Sequence, residues 1–544
     1  MTTCKLADQQ RRGLTLIETM IAMTISALII LAMAQAFQTI SETVVVNRAS
    51  VELAGQLRAA SMQLQRDLAG LTVPTRPWAE MAGARGYFEL YEGPDKDYYP
   101  NDTDPVLGFV DSSLGDIDDI LMFTSRNVDE PFSGQRNGNE ISSPDAEIVW
   151  CAGGEDSNGS GRIESNERYV YRRAFLIRPD LRYDVNLFAD PTLASGNDTA
   201  GVWPNLYSLN NGLDQLRTDL ENFYRYNDIS VRIEYLIQSG NVLVGLVPNS
   251  LADLSSRRNR FAHYPILIDG PKLGALRPAA RLVMPTDFGS QPTYATYPVF
   301  PYGLDVNPNS VTSVERLCSV DYRSGSATIL SGVLGFDLQV YDPTAEIWVP
   351  AGLSVAVQPG DPAFTNSVAA RINDPTIVKG RGTYVDLNYA NAFALNGTTV
   401  PPPVASYFST SPALRSGMSG TSSSNAYAQP LLVSYDTWCL EYERDGVNQD
   451  ASAPPSPGNG MPPVTVNPLP AQLTDSSIDE GRNGFDDPTP GNPMGDGRVD
   501  ELEEMETSPP YLAPLTGMRA RLRVMDFDTR LVQQNTVVVG LTKD

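Results

Sequence analysis

The sequence predicts an α+β protein: one long N-terminal helix packed on an enlarged, antiparallel, β-rich globular domain. Three observations carry this. No proline occurs from Leu14 until Pro74, so nothing forces a helix to break there. That stretch is apolar in its first half and amphipathic in its second. Beyond it, short segments of β-branched and aromatic residues in rough alternation lie between Gly, Pro, Asn and Asp.

The helix begins at an unusual junction. Arg11-Arg12-Gly13-Leu14-Thr15-Leu16-Ile17-Glu18 joins basic residues to a glycine, an apolar run and a single acid. No charge occurs from Thr19 to Ser41. Residues 14–37 supply about the 20 apolar residues that a bilayer span requires. Lys5, Arg11 and Arg12 on the short flank place the N-terminus on the cytoplasmic side. Secretory signals are cut after their apolar run; here a cut is expected before it, between Gly13 and Leu14, so that the apolar segment would stay on the mature chain. Further on, Val51, Leu57, Leu64, Leu68 and Leu71 form an apolar stripe between Arg58, Arg66 and Asp67. A helix over 14–72 would measure roughly 87 Å from Leu14 to Leu71 at 1.5 Å per residue.

The junction resembles the prepilin-type cleavage and methylation signal of type IV pilins and type II secretion pseudopilins. Leu14 stands where that signal usually has phenylalanine, a position that accepts other apolar residues. The resemblance implies that a prepilin peptidase removes residues 1–13, that Leu14 is N-methylated, and that Glu18 is the assembly carboxylate. It implies as partners other pilin or pseudopilin subunits, an inner-membrane assembly platform and the cytoplasmic membrane. The chain would cross that membrane once with its body outside, then pass into a pilus or pseudopilus. An acid at the membrane edge needs a partner, and a neighbouring subunit's free Leu14 amino group supplies one.

The body reads as strands at Ile120–Ser125, Ala146–Cys151, Arg168–Ile177, Ser230–Ile237, Asn241–Val247, Gly332–Val340, Ala345–Val349, Met518–Met525 and Leu531–Val539. Asp526-Phe527-Asp528-Thr529 makes a connection for the last pair. A short helix is expected around 212–223. Residues 73–400 form the β-rich body and 401–430 a Pro-, Ser- and Gly-rich linker or loop. Residues 431–544 form a C-terminal segment with acidic loops and a terminal hairpin, and 451–470 is another exposed stretch. Gly332–Phe336 through Tyr341 and Trp348, followed much later by a strand pair, resembles the larger minor pilins and J-type minor pseudopilins. The blocks at 119–126, 147–150, 172–180 and 254–263 are similar to long pilin-like proteins of planctomycete bacteria. Both resemblances imply a low-copy subunit.

Net charge is −25, and removing a leader of net +2 takes the mature chain to −27. Such acidity argues against nucleic acid as a partner. Cys4 leaves with the leader; Cys151, Cys318 and Cys439 remain, and sequence does not choose a pair among them. Residues 156–167 fit the twelve-residue calcium loop of an EF-hand, making Ca2+ the one cofactor candidate. Oxygen ligands fall at Asp156, Asn158, Ser160, the Arg162 carbonyl, Glu164 and Glu167, with Gly161 at the sharp turn. Strands rather than helices flank the segment, so a polar hairpin loop is the competing reading. A second acidic region, 479–501, resembles Asp/Gly calcium loops but has irregular spacing and reads as a solvated loop.

Enzymatic signals are weak. His263 is the only histidine, and there is neither a phosphate-binding Lys loop nor a Gly-x-Ser-x-Gly elbow. No catalytic residues are assigned, and the chain is expected not to be an enzyme. Three roles remain: a minor pilin or pseudopilin acting at the tip or priming assembly, a tip adhesin, or an extracytoplasmic enzyme that borrows the anchor.

Overall fold

The computed structural model describes residues 15–75, 86–91, 119–154, 168–183, 207–208, 223–224, 226–238, 241–255, 259–261, 266–267, 282–283, 328–352, 354–359, 361–387, 434–437 and 514–541. Helix α1 spans Leu16–Ala69, 54 residues, or about 81 Å at the standard rise. Thr15 caps its start, and the Gly70 N–H donates back to the Asp67 and Leu68 carbonyls at its end. Leu71 and Thr72, expected at the end of a helix over 14–72, have already left it, and Leu71 bridges to Ser125.

All 33 side chains from Leu16 to Arg48 are exposed, and Ala49 is the first to be buried. Leu53, Leu57, Ala60, Leu64 and Leu68 continue the buried stripe at intervals of three or four, which keeps them on one face. Two expectations fail here. Val51 is 74 % exposed, because six residues before Leu57 places it far round the helix; Leu53 takes the position instead. Asp67, expected among the polar residues, points inward and is buried.

The strands in chain order are β1 Phe88–Tyr91, β2 Ile120–Arg126, β3 Phe132–Arg136, β4 Asn139–Ser143, β5 Asp145–Gly154 and β6 Arg168–Leu176. Next come β7 Tyr207–Ser208, β8 Val231–Gln238, β9 Asn241–Pro248, β10 Ile266–Leu267, β11 Leu282–Val283 and β12 Thr328–Ser331. The last are β13 Val333–Trp348, β14 Val378–Val385, β15 Ser434–Asp436, β16 Gly517–Asp526 and β17 Leu531–Gly540. A six-stranded sheet has the order β12-β6-β5-β2-β1-β15, and a four-stranded sheet the order β14-β13-β16-β17. Every pairing within these two sheets is antiparallel. The fold is therefore α+β, a long apolar helix joined to an antiparallel β-rich body.

One core joins the layers. Leu57, Leu64 and Leu68 of α1 meet Phe123 and Trp150 of the larger sheet and Phe336, Leu522 and Val537 of the smaller. Gly332 turns the chain from β12 in one sheet to β13 in the other with φ +65°, a left-handed value that favours glycine. Through β15 and the β16–β17 hairpin, the C-terminal segment is built into both sheets.

The expected strands Gly332–Val340 and Ala345–Val349 form one strand of 16 residues, β13. Its pairing with β14 shifts between Asp342 and Glu346. There Asp342 Oδ1 accepts from the Thr344 N–H at 2.7 Å, the Thr344 hydroxyl at 2.6 Å and the Ala345 N–H at 3.1 Å. The carboxylate satisfies donors that a bulge takes out of the ladder, so the Asp-Pro-Thr break in pattern is a bulge within one strand. The expectation omitted β3 and β4, although Asn137-Gly138 with φ 46° and 80° is a strong two-residue hairpin signal. It also omitted helix α2, Pro362–Asn373. Of the helix expected around 212–223, Phe223 is described and helical, with Tyr224 following; 212–222 lie outside the described residues, as do 401–430 and 451–470.

Candidate functional site

Glu18 stands in the first turn of α1 and closes a capping box with Thr15. Its Oε2 accepts from the Thr15 N–H at 2.9 Å and the Thr15 hydroxyl at 3.0 Å, while the Glu18 N–H donates to Thr15 Oγ1 at 3.3 Å. Two of the donors that every helix start leaves unpaired are thereby satisfied. The box also fixes the carboxylate at the helix terminus, next to the expected cleavage point. Gly13 and Leu14 themselves lie outside the described residues.

The rest of the apolar segment is arranged for a dry environment. Thr19, Thr24 and Thr39 each donate their hydroxyl to a carbonyl one turn back, at 2.8, 2.8 and 3.0 Å, so these polar groups need no water. Leu16 is 80 % and Ile30 66 % exposed, with no part of the described body against them. By length and composition this helix is able to cross a membrane.

The other end of α1 is fastened to the body by charge. The Asp67 side chain, 1 % exposed, accepts from Trp150 Nε1 at 2.9 Å and Gln63 Nε2 at 2.9 Å. Arg172 adds a two-pronged contact, Nε at 2.6 Å and Nη2 at 2.8 Å. The Arg126 N–H then donates to the Gly70 carbonyl at 2.7 Å. The helix end is clasped to β2, β5 and β6.

Buried polar groups also organise the far face of the larger sheet. Glu147 accepts from the Tyr87 hydroxyl at 2.6 Å, the Phe261 N–H at 2.7 Å and the Ser230 hydroxyl at 2.5 Å. Burial first, and Glu147 second, push the Tyr87 hydroxyl well above its ordinary pKa, so it remains a donor. Arg260 pairs with Glu89 at 3.3 Å and lies 4.3 Å over the Tyr87 ring. Phe261 is thus tied by its N–H to Glu147 and by ring stacking to Phe175, and β5 pairs with β6, so described residues of the sequence blocks at 147–150, 172–180 and 254–263 meet on this face.

The candidate calcium ligands Asp156, Asn158, Ser160, Arg162, Glu164 and Glu167 lie outside the described residues; β5 and β6 pair down to Gly154 and Arg168 at the base of that segment. His263, Cys318, Cys439 and 479–501 lie outside them too, while Cys151 is buried on β5. Among the described residues no group of three or more His, Cys, Asp or Glu side chains is placed to hold a metal. Sequence reasoning missed the Asp67 clasp and the Glu147 network. The signal for Asp67 was its spacing, three residues after Leu64 on the apolar face.

The capped apolar helix and its adjoining acid are consistent with a membrane-anchored protein that carries a prepilin-type N-terminus. Residues 8–34 match the family model described as the prokaryotic N-terminal methylation motif. That match supports a type IV pilin-like processing signal and, with it, a prepilin peptidase as the processing partner. No curated protein and no solved structure matches the chain.

Proposed function

We propose that this chain is a low-copy subunit of a type IV pilus or type II secretion pseudopilus, stored in the cytoplasmic membrane and drawn into the filament after cleavage before Leu14. The observation that carries the reading is the run of 33 exposed side chains, Leu16 to Arg48. At about 50 Å it is longer than the roughly 30 Å hydrocarbon core. Ile40, Val44, Val45 and Val46 are apolar and exposed beyond the span, where helices of other subunits would cover them. In this reading the role is structural rather than catalytic.

A tip or priming position is supported by where the body projects. Gln533 reaches Ser50, Asn535 reaches Ser61, and Thr75 bonds Leu541, so β17 runs in the same sense as α1. By the antiparallel order β13 does too, and its C-terminal end points away from the membrane. Beyond Val340, β13 has left β16 and pairs with β14 and, at Trp348, with Val357. This extension carries α2 and a small core of its own, in which Trp348 stacks on Phe364 with ring centroids 3.9 Å apart. A large body with such a projection suits the end of a filament better than its repeating shaft.

Charge reversal at Glu18 tests the reading. Glu18→Lys should leave the chain in the membrane but deplete it from sheared filaments roughly tenfold or more, since the substitution puts a cation where a subunit's amino group must dock. Unchanged filament content would contradict the proposal and leave the helix as a plain anchor.

A further inference from the structure

We propose that Thr383 and Gln358 join as an ester, an intramolecular cross-link that staples the extension formed by β13 beyond Val340, α2 and β14. The Thr383 hydroxyl on β14 donates to Gln358 Oε1 at 2.6 Å. That contact sets an alcohol oxygen beside the carbonyl carbon of a carboxamide, with Thr383 buried. Asp342 of β13, also buried, is the cross-strand partner of Thr383, so their side chains stand on one face of the sheet as close neighbours. A hydroxyl, an acyl group and a carboxylate are the three parts that acyl transfer to threonine requires: nucleophile, electrophile and base.

Each part is held by backbone. Thr383 lies within the β13–β14 ladder. Val357, next to Gln358, exchanges both of its backbone hydrogen bonds with Trp348, at 2.7 and 2.8 Å. The Gln358 N–H donates to Asp361 Oδ2 at 2.8 Å, and the Gln358 carbonyl accepts from the Asp361 N–H at 3.0 Å. Asp342 is fixed by the three donors on its Oδ1. Groups already in contact and fixed on rigid elements avoid much of the ordering cost of a reaction between them.

The step balances without a co-reactant. Thr383 Oγ1 attacks Gln358 Cδ; the O–C bond forms and the C–N bond breaks. The hydroxyl proton passes through the Asp342 carboxylate to the leaving nitrogen, which departs as ammonia. Nothing is oxidised or reduced, and burial of Thr383 and Asp342 keeps water from hydrolysing the product. The extension also has a use for a staple. Its own core has four buried side chains, Trp348, Val357, Phe364 and Ile377, and cores that small are commonly secured by a cross-link. A disulfide is not available, since residues 341–387 hold no cysteine. The ester closes the chain from Gln358 through α2 to Thr383 into a ring, which restricts the unfolded state.

Peptide mapping of the full chain, purified in detergent and unfolded before digestion, tests this. Trypsin cuts after Arg371, Lys379 and Arg381, so Gln358 and Thr383 fall in separate peptides unless they are joined. The expected product is one joined peptide, lighter than the two by one ammonia, that hydroxylamine splits. Gln358→Glu keeps an acceptor for the Thr383 hydroxyl but replaces the amide with a carboxylate, a poor electrophile, and should give separate peptides. Thr383→Ser keeps the nucleophile and should keep the link, while Asp342→Asn should slow its formation roughly tenfold or more. Separate peptides of full mass from the unaltered chain, both fresh and after long incubation, would overturn the proposal and leave a plain hydrogen bond. A joined peptide that resists hydroxylamine, or that persists in Gln358→Glu, would overturn it equally.

Discussion

Asp337 shows how one buried acid sets a pH dependence. Its side chain on β13 is 5 % exposed; Oδ2 accepts from Arg521 Nη1 at 3.0 Å, and Oδ1 has no hydrogen-bond partner. Burial, and then the neighbouring Asp386, push its pKa up to about 7, against the pull of Arg521 and Arg519. The folded value thus lies above the unfolded one, so the folded state holds the proton more tightly and stability falls as pH rises from about 4 to 7. Asp337→Asn, which removes the charge and keeps the shape, should raise the Tm at pH 8 and change it little at pH 4. A lower Tm for the variant at pH 8 would contradict this account. Glu346 has the opposite sign. Burial pushes its carboxyl up, but Arg371 at 2.6 and 3.0 Å, the Trp348 indole at 3.0 Å and Arg381 more than reverse the effect and leave it lowered. Its contribution is present near neutrality and is lost in acid. Alternation around Asp337 marked a strand, and its polar residues Asp337 and Gln339 are both buried. Period alone does not say which polar face is covered.

At the scale of elements, the junction between α1 and the larger sheet depends on Asp67. Its removal leaves the buried Trp150 indole and the mostly buried Arg172 without their acceptor. Asp67→Ala should therefore cost about 2–4 kcal/mol of stability, since the remaining partners stay desolvated. Thermal or urea unfolding of the body with its helix end would measure this, and a loss below about 0.5 kcal/mol would show that the clasp is no more than a surface contact. Legibility in the sequence follows the same physics. Strands β2, β5, β6, β8, β9, β16 and β17 were readable because β-branched and aromatic runs ended at turn residues. Asp342-Pro343-Thr344 broke the pattern and split β13, because a bulge and a turn look alike when the partner strand is unknown. Short β1, β12 and β15 carry too few residues to show a period; their pairing comes from neighbours distant in sequence, such as Leu90 with Tyr435. Val51 misled because apolar identity was followed without its phase on the helix.

For the whole molecule, the division of labour was plain from the sequence. A capped, largely apolar helix projects from a strand-rich body, with Glu18 in its first turn. The buried polar networks were not legible, since Glu147, Arg172 and Arg260 look like ordinary surface charges until the fold brings them together. A long apolar helix clasped to a body by Asp67 fits the proposed role of a part that is drawn into an assembly. Everything in that account begins with a cut before Leu14. The most direct test is the intact mass of the N-terminal peptide from membrane-extracted protein. The account predicts a chain that begins with N-methylated Leu14. A chain that retains Met1 to Gly13 where a competent prepilin peptidase is present would contradict it and leave a signal-anchored surface protein.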